Sequence, residues 1–328
     1  MPPKAVKKRR KQRKKPVKKV RRKSKARSKP KTKRVSRSRS PKTSKPRKGK
    51  KELFCAPDRE GDGLTCYSRE DLLFLAEAYN RKRPNSKHIP LHLSKKDLWM
   101  SLQKRLSNEC NTEWCWLEQD FVPAPYARKM LNETFRPEKP KEWNQNPFEW
   151  LTTVDIRKVM KQYEKKYPSF LFIGPVPVDC PTGITCALSG LDVNILVNRL
   201  GKTKLGVIFN LDPHNKPGSH WVAVYSDFLK GDIYYFDSVG IAPPKPIRRF
   251  LEKLKEGIER YHLTEFEQKK KVDILVNKTR FQYGSSECGV FGMYFIISNL
   301  EDRGVRTFKK KHVNDKRMNE LRDVYFRS

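Results

Sequence analysis

The first 51 residues of this 328-residue chain contain no Asp or Glu and no Phe, Trp, Tyr, Leu or Ile. Without apolar surface to bury, they cannot offset the entropy lost on ordering a chain, so an independently folded N-terminal domain is excluded. No apolar core follows their positive charges, and a secretory signal is not expected. The longest apolar stretch of the remainder, Val290–Ile297, falls far short of the about 20 residues that span a bilayer, so no membrane partner is expected. The seven cysteines are unevenly spaced and include no Cys-x-x-Cys pair. This spacing predicts neither a disulfide framework nor a zinc knuckle, and it points to a reducing intracellular compartment.

What the sequence has in abundance is positive charge, unevenly spread. Lys and Arg number 73 against 36 Asp and Glu, a formal net charge of +37. Residues 1–51 hold 28 of the basic residues, which leaves 45 basic and 36 acidic groups, +9, in the other 277 residues. The chain therefore reads as a disordered polybasic tail, 1–51, on a body of ordinary composition. A polycation of this density binds nucleic acid non-specifically by releasing counterions, and without aromatic side chains it has nothing to stack on bases. Nuclear import or a merely solvated tail are the alternatives.

Three segments follow. Residues 52–122 predict a small helical module. Ser68 and Asp71 make a capping-box start before Leu72, Leu75, Ala76 and Tyr79, and Ser94 and Asp97 open a second helix with Leu98, Leu102 and Leu106 on one face. Cys55, Cys66, Cys110 and Cys115, with His88 or His92, are the candidate zinc donors, but their spacing favours core or free cysteines. Residues 123–142, with Pro123, Pro125, Pro137 and Pro140, predict a connector. Residues 143–328 alternate between periods. A helix with Thr153 as its cap carries Ile156, Val159 and Tyr163; strands are expected at 204–210, 221–225, 232–236 and 272–276. Further helices are expected at 245–261, at 289–300, which is apolar nearly all round, and after Asn314.

The chemistry lies in the last segment. Cys288 directly precedes the apolar helix, where unpaired N–H groups and the helix dipole favour the thiolate that attacks carbonyl carbon. Of six histidines, His220 opens a strand after the Pro217-Gly218 turn, and Asp237 ends the next strand. An antiparallel pairing would let the carboxylate orient the imidazole. Gln282, six residues before Cys288, offers an amide that, with the Cys288 backbone N–H, could stabilise an oxyanion. Each piece alone has a plainer reading: a cysteine at a helix start is commonly a small buried hydrophobe, and a His-Trp pair is commonly packing.

The order of the pieces is more specific. Gly218-Ser219-His220-Trp221-Val222-Ala223, then Tyr235-Phe236-Asp237-Ser238, then Gln282 and Ser286-Glu287-Cys288-Gly289, resembles the clan of ubiquitin-like-protein-specific proteases, to which the adenovirus protease belongs. Within it, the pattern and Trp150-Leu151-Thr152-Thr153-Val154-Asp155-Ile156 are most similar to the polyprotein-processing proteases of African swine fever virus and giant viruses. Asp237 follows the cellular members, where the swine fever virus enzyme has Asn; Glu287 follows the viral form.

The resemblance implies an α+β, papain-like cysteine peptidase core over 143–328, with Cys288, His220, Asp237 and Gln282 catalytic and no metal or organic cofactor. It also implies cleavage after Gly-Gly or Gly-X, with Trp221 and Gly289 at a narrow substrate cleft roofed by Trp221. The expected substrate is a viral structural polyprotein cut during maturation, in the virion and the cytoplasmic viral factory, with the nucleus as an alternative location. Removal of ubiquitin-like modifiers, or a DNA-binding core protein with a vestigial protease fold, are the alternative functions.

Overall fold

The computed structural model describes residues 53–59, 63–180, 186–304, 308 and 312–327; the polybasic tail expected at 1–51 lies outside them. In the helical module, α1 (Arg69–Lys82) and α2 (Lys95–Leu106) begin where their caps predict. The Ser68 hydroxyl accepts from the Asp71 N–H while the Asp71 carboxylate accepts from the Ser68 N–H, and Ser94 accepts from the Asp97 N–H. Leu72, Leu75, Leu98 and Leu102 then close a core with Tyr67, Trp116 and Phe135.

The Pro-rich stretch is not the connector expected throughout. Ala124–Thr134 forms a helix, α3, with Pro123 at its N-cap and Pro125 in its first turn, where a missing N–H leaves no helical hydrogen bond unmade. Ala127 and Met130 bury into the module core.

The cysteines also depart from expectation. Cys55 pairs with Cys66, Cys110 with Cys115 and Cys180 with Cys186. The bridges span 11, 5 and 6 residues, so local turns suffice to bring the partners together, and no long-range framework is needed. They consume the thiols considered for zinc and leave Cys288 as the free cysteine.

Beyond the module lie α4 (Thr153–Lys166), β1 (Phe170–Pro177), α5 (Val193–Asn198), β2 (Lys204–Asn210), β3 (Trp221–Asp227), β4 (Asp232–Phe236), α6 (Lys245–Phe266), β5 (Asp273–Val276), α7 (Cys288–Leu300) and α8 (Asp315–Tyr325). The sheet runs β1-β2-β3-β4-β5, parallel at its two outer pairs and antiparallel at the two inner ones. Period-two alternation decides which face each side chain takes. Leu205, Val207, Phe209, Val222 and Val224 pack with Ile247, Phe250 and Leu254 of α6. Ile208, Ala223, Tyr225 and Phe236 pack on the other face with α4, α7 and α8. The fold is α+β, as expected.

Nearly every side chain of α7 is buried. At about 2 kcal/mol for each fully buried Phe, Ile or Met, this packing fixes the helix, and with it Cys288, against β3. Two details differ from expectation. Thr152, not Thr153, caps α4, sharing a capping box with Asp155. The edge strand β1 was not anticipated, because Gly174, Pro175 and Pro177 interrupt it; its register slips between Ile173 and Val176, a tolerance confined to edges and bulges.

Residues 51–328 form one compact unit. Gln162 of α4 joins module to sheet, donating to the carbonyls of Asn132 and Phe135 at 2.8 and 2.7 Å. No described helix is long and apolar enough to cross a membrane.

Candidate active site

His220 stands immediately before β3 and Asp237 immediately after β4. Pairing of Ala223 with Phe236 therefore brings both to the same end of the sheet, and His220 Nε2 lies 2.7 Å from Asp237 Oδ1. Asp237 is wholly buried. Its Oδ1 also accepts from the Val239 N–H at 2.9 Å, and its Oδ2 from the Ile241 N–H at 3.1 Å. Donors on both oxygens lock the carboxylate, so Nε2 carries the proton toward it and Nδ1 is the ring atom left for Cys288, whose thiol is near enough to bear on the charge of the imidazole. Burial works against charging this ring. The hydrogen bond to Asp237, and the nearby groups of Cys288 and Asp237, outweigh it and raise the His220 pKa from 6.5 to about 9. Imidazolium is thus the favoured form at neutral pH.

Cys288 is the first residue of α7, 1% exposed. Gly289 beside it does not face an open cleft. A Cβ there would lie 3.3 Å from Leu151 and from Trp221 Cδ1, so the glycine lets the first turn of α7 approach these side chains. Trp221 is a wall rather than the expected roof: it is buried, and its Nε1 donates to the Leu151 carbonyl at 3.2 Å. The partly exposed indole is that of Trp150, which shares with Leu151, Thr152, Asn210, Gly218 and Trp221 a cavity of about 460 Å³.

Gln282 lies buried, its Oε1 accepting from the Ser238 hydroxyl at 2.6 Å and its Nε2 donating to the Gly284 carbonyl at 3.0 Å. A carbonyl can only accept, so this contact fixes which end of the amide carries hydrogen, and Nε2 has a second N–H. The Phe281 and Gln282 N–H groups also donate to the Ser238 carbonyl. Asp237 and Gln282 are thereby joined through one intervening residue.

Three residues of the site were not singled out from sequence. Asn277 clamps the Asp237 backbone, accepting from its N–H and donating to its carbonyl, both at 2.8 Å. Ser238 and Trp150 were noted only as parts of motifs. An Asn directly after a strand was the available signal for the first. Among the described residues, no three His, Cys, Asp or Glu side chains converge as a metal-holding group.

The family model described as the Ulp1 protease family, C-terminal catalytic domain, matches residues 202–327. A protein of Acanthamoeba polyphaga mimivirus, which carries the name of a thiol protease, is 33% identical over 295 residues, covering 84% of this chain and 93% of that one. The chain belongs to the Ulp1 family of cysteine proteases. A cysteine protease of African swine fever virus, named a SUMO-1 cysteine protease in some isolates, is 25% identical to the protease over 260 residues, 71% of this chain and 88% of that one. The crystal structure of the African swine fever virus protease shares the fold at a TM-score of 0.57 and 20% identity, covering 84% of this chain and 95% of that one. The protease is a hydrolase acting on protein substrates.

Proposed function

We propose that Cys288, His220, Asp237 and Gln282 are its catalytic residues and that it cleaves after small residues, Gly-Gly or Gly-X. The observation that carries this is the locked Asp237–His220 pair beside Cys288, the first residue of α7. The Cys288 thiolate attacks the scissile carbonyl, and the oxyanion forms against the Cys288 N–H and the Gln282 amide. As the tetrahedral intermediate collapses, His220 gives its Nδ1 proton to the departing amine. Neutral His220 then takes a proton from water, the hydroxide attacks the thioester, and the acid product leaves with the thiolate–imidazolium pair restored. Preference for glycine is supported by the bulky indoles of Trp150 and Trp221, which line the same cavity and leave little room for a substrate side chain there.

The substrate we infer is a viral structural polyprotein, cut in the virion or the viral factory. Its support is that similarity to the two viral proteases covers 84% and 71% of the chain, well beyond the residues that match the family's catalytic domain. A second reading, removal of a ubiquitin-like modifier, is favoured by the SUMO-1 protease name of one relative. Incubation with Gly-Gly-X peptides and with a ubiquitin-like fusion decides. Efficient cleavage of the short peptides supports polyprotein processing, whereas cleavage of the folded fusion alone supports deconjugation.

The tail, 1–51, is proposed to hold the protease on nucleic acid. Deleting it should leave peptide hydrolysis unchanged and remove most DNA binding, and the binding of the full chain should weaken steeply with salt. Filter binding across a salt series tests this; full affinity in the truncated protein would move the binding surface into the body.

A further inference from the structure

The C-terminal helix α8 buries Met318, Leu321 and Tyr325 in the sheet core, as its sequence pattern suggests. A neighbouring stripe of the same helix is polar. Asp315, Asn319 and Arg322 are spaced i, i+4 and i+7, on one side of the helix, and all three reach the loop that ends at Cys288. Asp315 Oδ2 accepts from the backbone N–H groups of Tyr283 and Gly284 at 2.9 and 3.0 Å. Asn319 Nδ2 donates to Glu287 Oε1 at 3.1 Å. Arg322 Nη2 donates to the Ser286 carbonyl at 3.1 Å, and its Nε to Asn319 Oδ1 at 3.2 Å.

Arg322 has one more arm. Its Nη1 donates at 2.7 Å to the carbonyl of Glu149, the residue before Trp150 on the cavity wall. The side chain is 3% exposed, and its guanidinium lies 4.6 Å from the centre of the Trp143 ring. One buried planar fork thus fills three acceptors on three different segments, a geometry that the single point charge of lysine cannot reproduce. Within the loop, the Glu287 carboxylate accepts from the Ser286 N–H and hydroxyl at 3.1 and 3.2 Å. A Cβ at position 284 would fall 2.5 Å from Glu287 Oε2, so Gly284 leaves room for that carboxylate.

The loop so held spans Gln282 to Cys288, the two groups on which the oxyanion depends. Their donors work only if preorganised, and a misplacement of about 1 Å can cost about a hundredfold in rate. We propose that the polar stripe of α8 positions the nucleophile loop for the reaction, and that Arg322, by holding this loop and Glu149 together, sets the width of the substrate cleft. The inference rests on reading Cys288 as nucleophile and Gln282 as oxyanion donor.

The test uses the full chain with Arg322→Lys, Asp315→Ala and Asp315→Asn. It measures kcat and KM on a Gly-Gly-X peptide, the rate of Cys288 alkylation by iodoacetamide across pH, and the melting temperature. Asp315→Ala should lower kcat about tenfold or more with KM nearly unchanged. Asp315→Asn, whose amide oxygen can still accept both N–H groups, should recover most of that loss. Arg322→Lys should lower kcat and also raise KM, because it touches the cleft wall. In all three, Cys288 alkylation should keep its wild-type pH profile, since the His220–Cys288 pair is untouched. A lowered melting temperature with unchanged kcat would reduce the stripe to a purely structural role and overturn the proposal, as would failure of Asp315→Asn to recover activity. The Asp315 pair decides the matter even where Arg322→Lys does not fold. Cys288→Ala is assayed in parallel: if it still hydrolysed the peptide, the reading of the site itself would fall, separately from the brace.

Discussion

The His220 ring is held between a buried carboxylate and a thiol, and this sets how the protease should respond to pH. Its pKa, raised from 6.5 to about 9, keeps the proposed general acid protonated across neutral pH, so kcat/KM should decline as pH rises through about 9. The same shift stabilises the folded protein. That contribution is fully present below pH 6.5, and it is lost as pH rises to about 9. Denaturation midpoints of wild type and His220→Gln should therefore converge above that pH. Asp237→Asn should retain more activity than Asp237→Ala, since an amide oxygen can still accept a hydrogen bond from the imidazole N–H. It should not reach wild type, because the amide's NH₂ would face the Ile241 N–H now bound to Oδ2. Gln282→Ala should lower kcat by about a hundredfold, the usual effect of losing one oxyanion donor. A change confined to KM would make Gln282 a substrate-binding residue instead.

At the scale of elements, the loop before β3 carries a comparable demand. Gly218 has φ of +108°, and a Cβ there would sit 2.5 Å from Asn210 Nδ2. Asn210 Oδ1 in turn accepts from the Ser219 N–H at 3.2 Å. Gly218→Ala should displace the segment leading into His220 and lower kcat while the sheet persists, as activity and far-UV circular dichroism together would report. Elements with a clear pattern were legible in the sequence: α1 and α2 from their caps, the inner strands from short apolar runs bounded by turns, α7 from its unbroken apolar surface. β1 and α3 were not, because proline at an edge strand and in a first helical turn reads, residue by residue, like proline in a loop. The candidate site was legible where order along the chain carries it, as with His220, Asp237, Gln282 and Cys288. Asn277, Ser238 and the polar stripe of α8 were hidden, because their partners lie on loops that only the folded sheet brings near.

At the scale of the whole molecule, the cysteines give a direct count. The protein as purified without reductant should show one thiol on denaturation, that of Cys288, and all seven cysteines after reduction. Three or more thiols without reduction would contradict the three bridges. The central claim is that this sheet, with one helix start and three side chains around it, forms a working cysteine protease site. It is tested most directly by a Gly-Gly peptide ending in a vinyl sulfone, which traps an attacking thiolate as a stable thioether, followed by digestion and mass spectrometry. The account predicts a single adduct, on Cys288, absent from Cys288→Ala and formed far more slowly in His220→Ala. An adduct on any other residue, or peptide hydrolysis by Cys288→Ala at the wild-type rate, would contradict it.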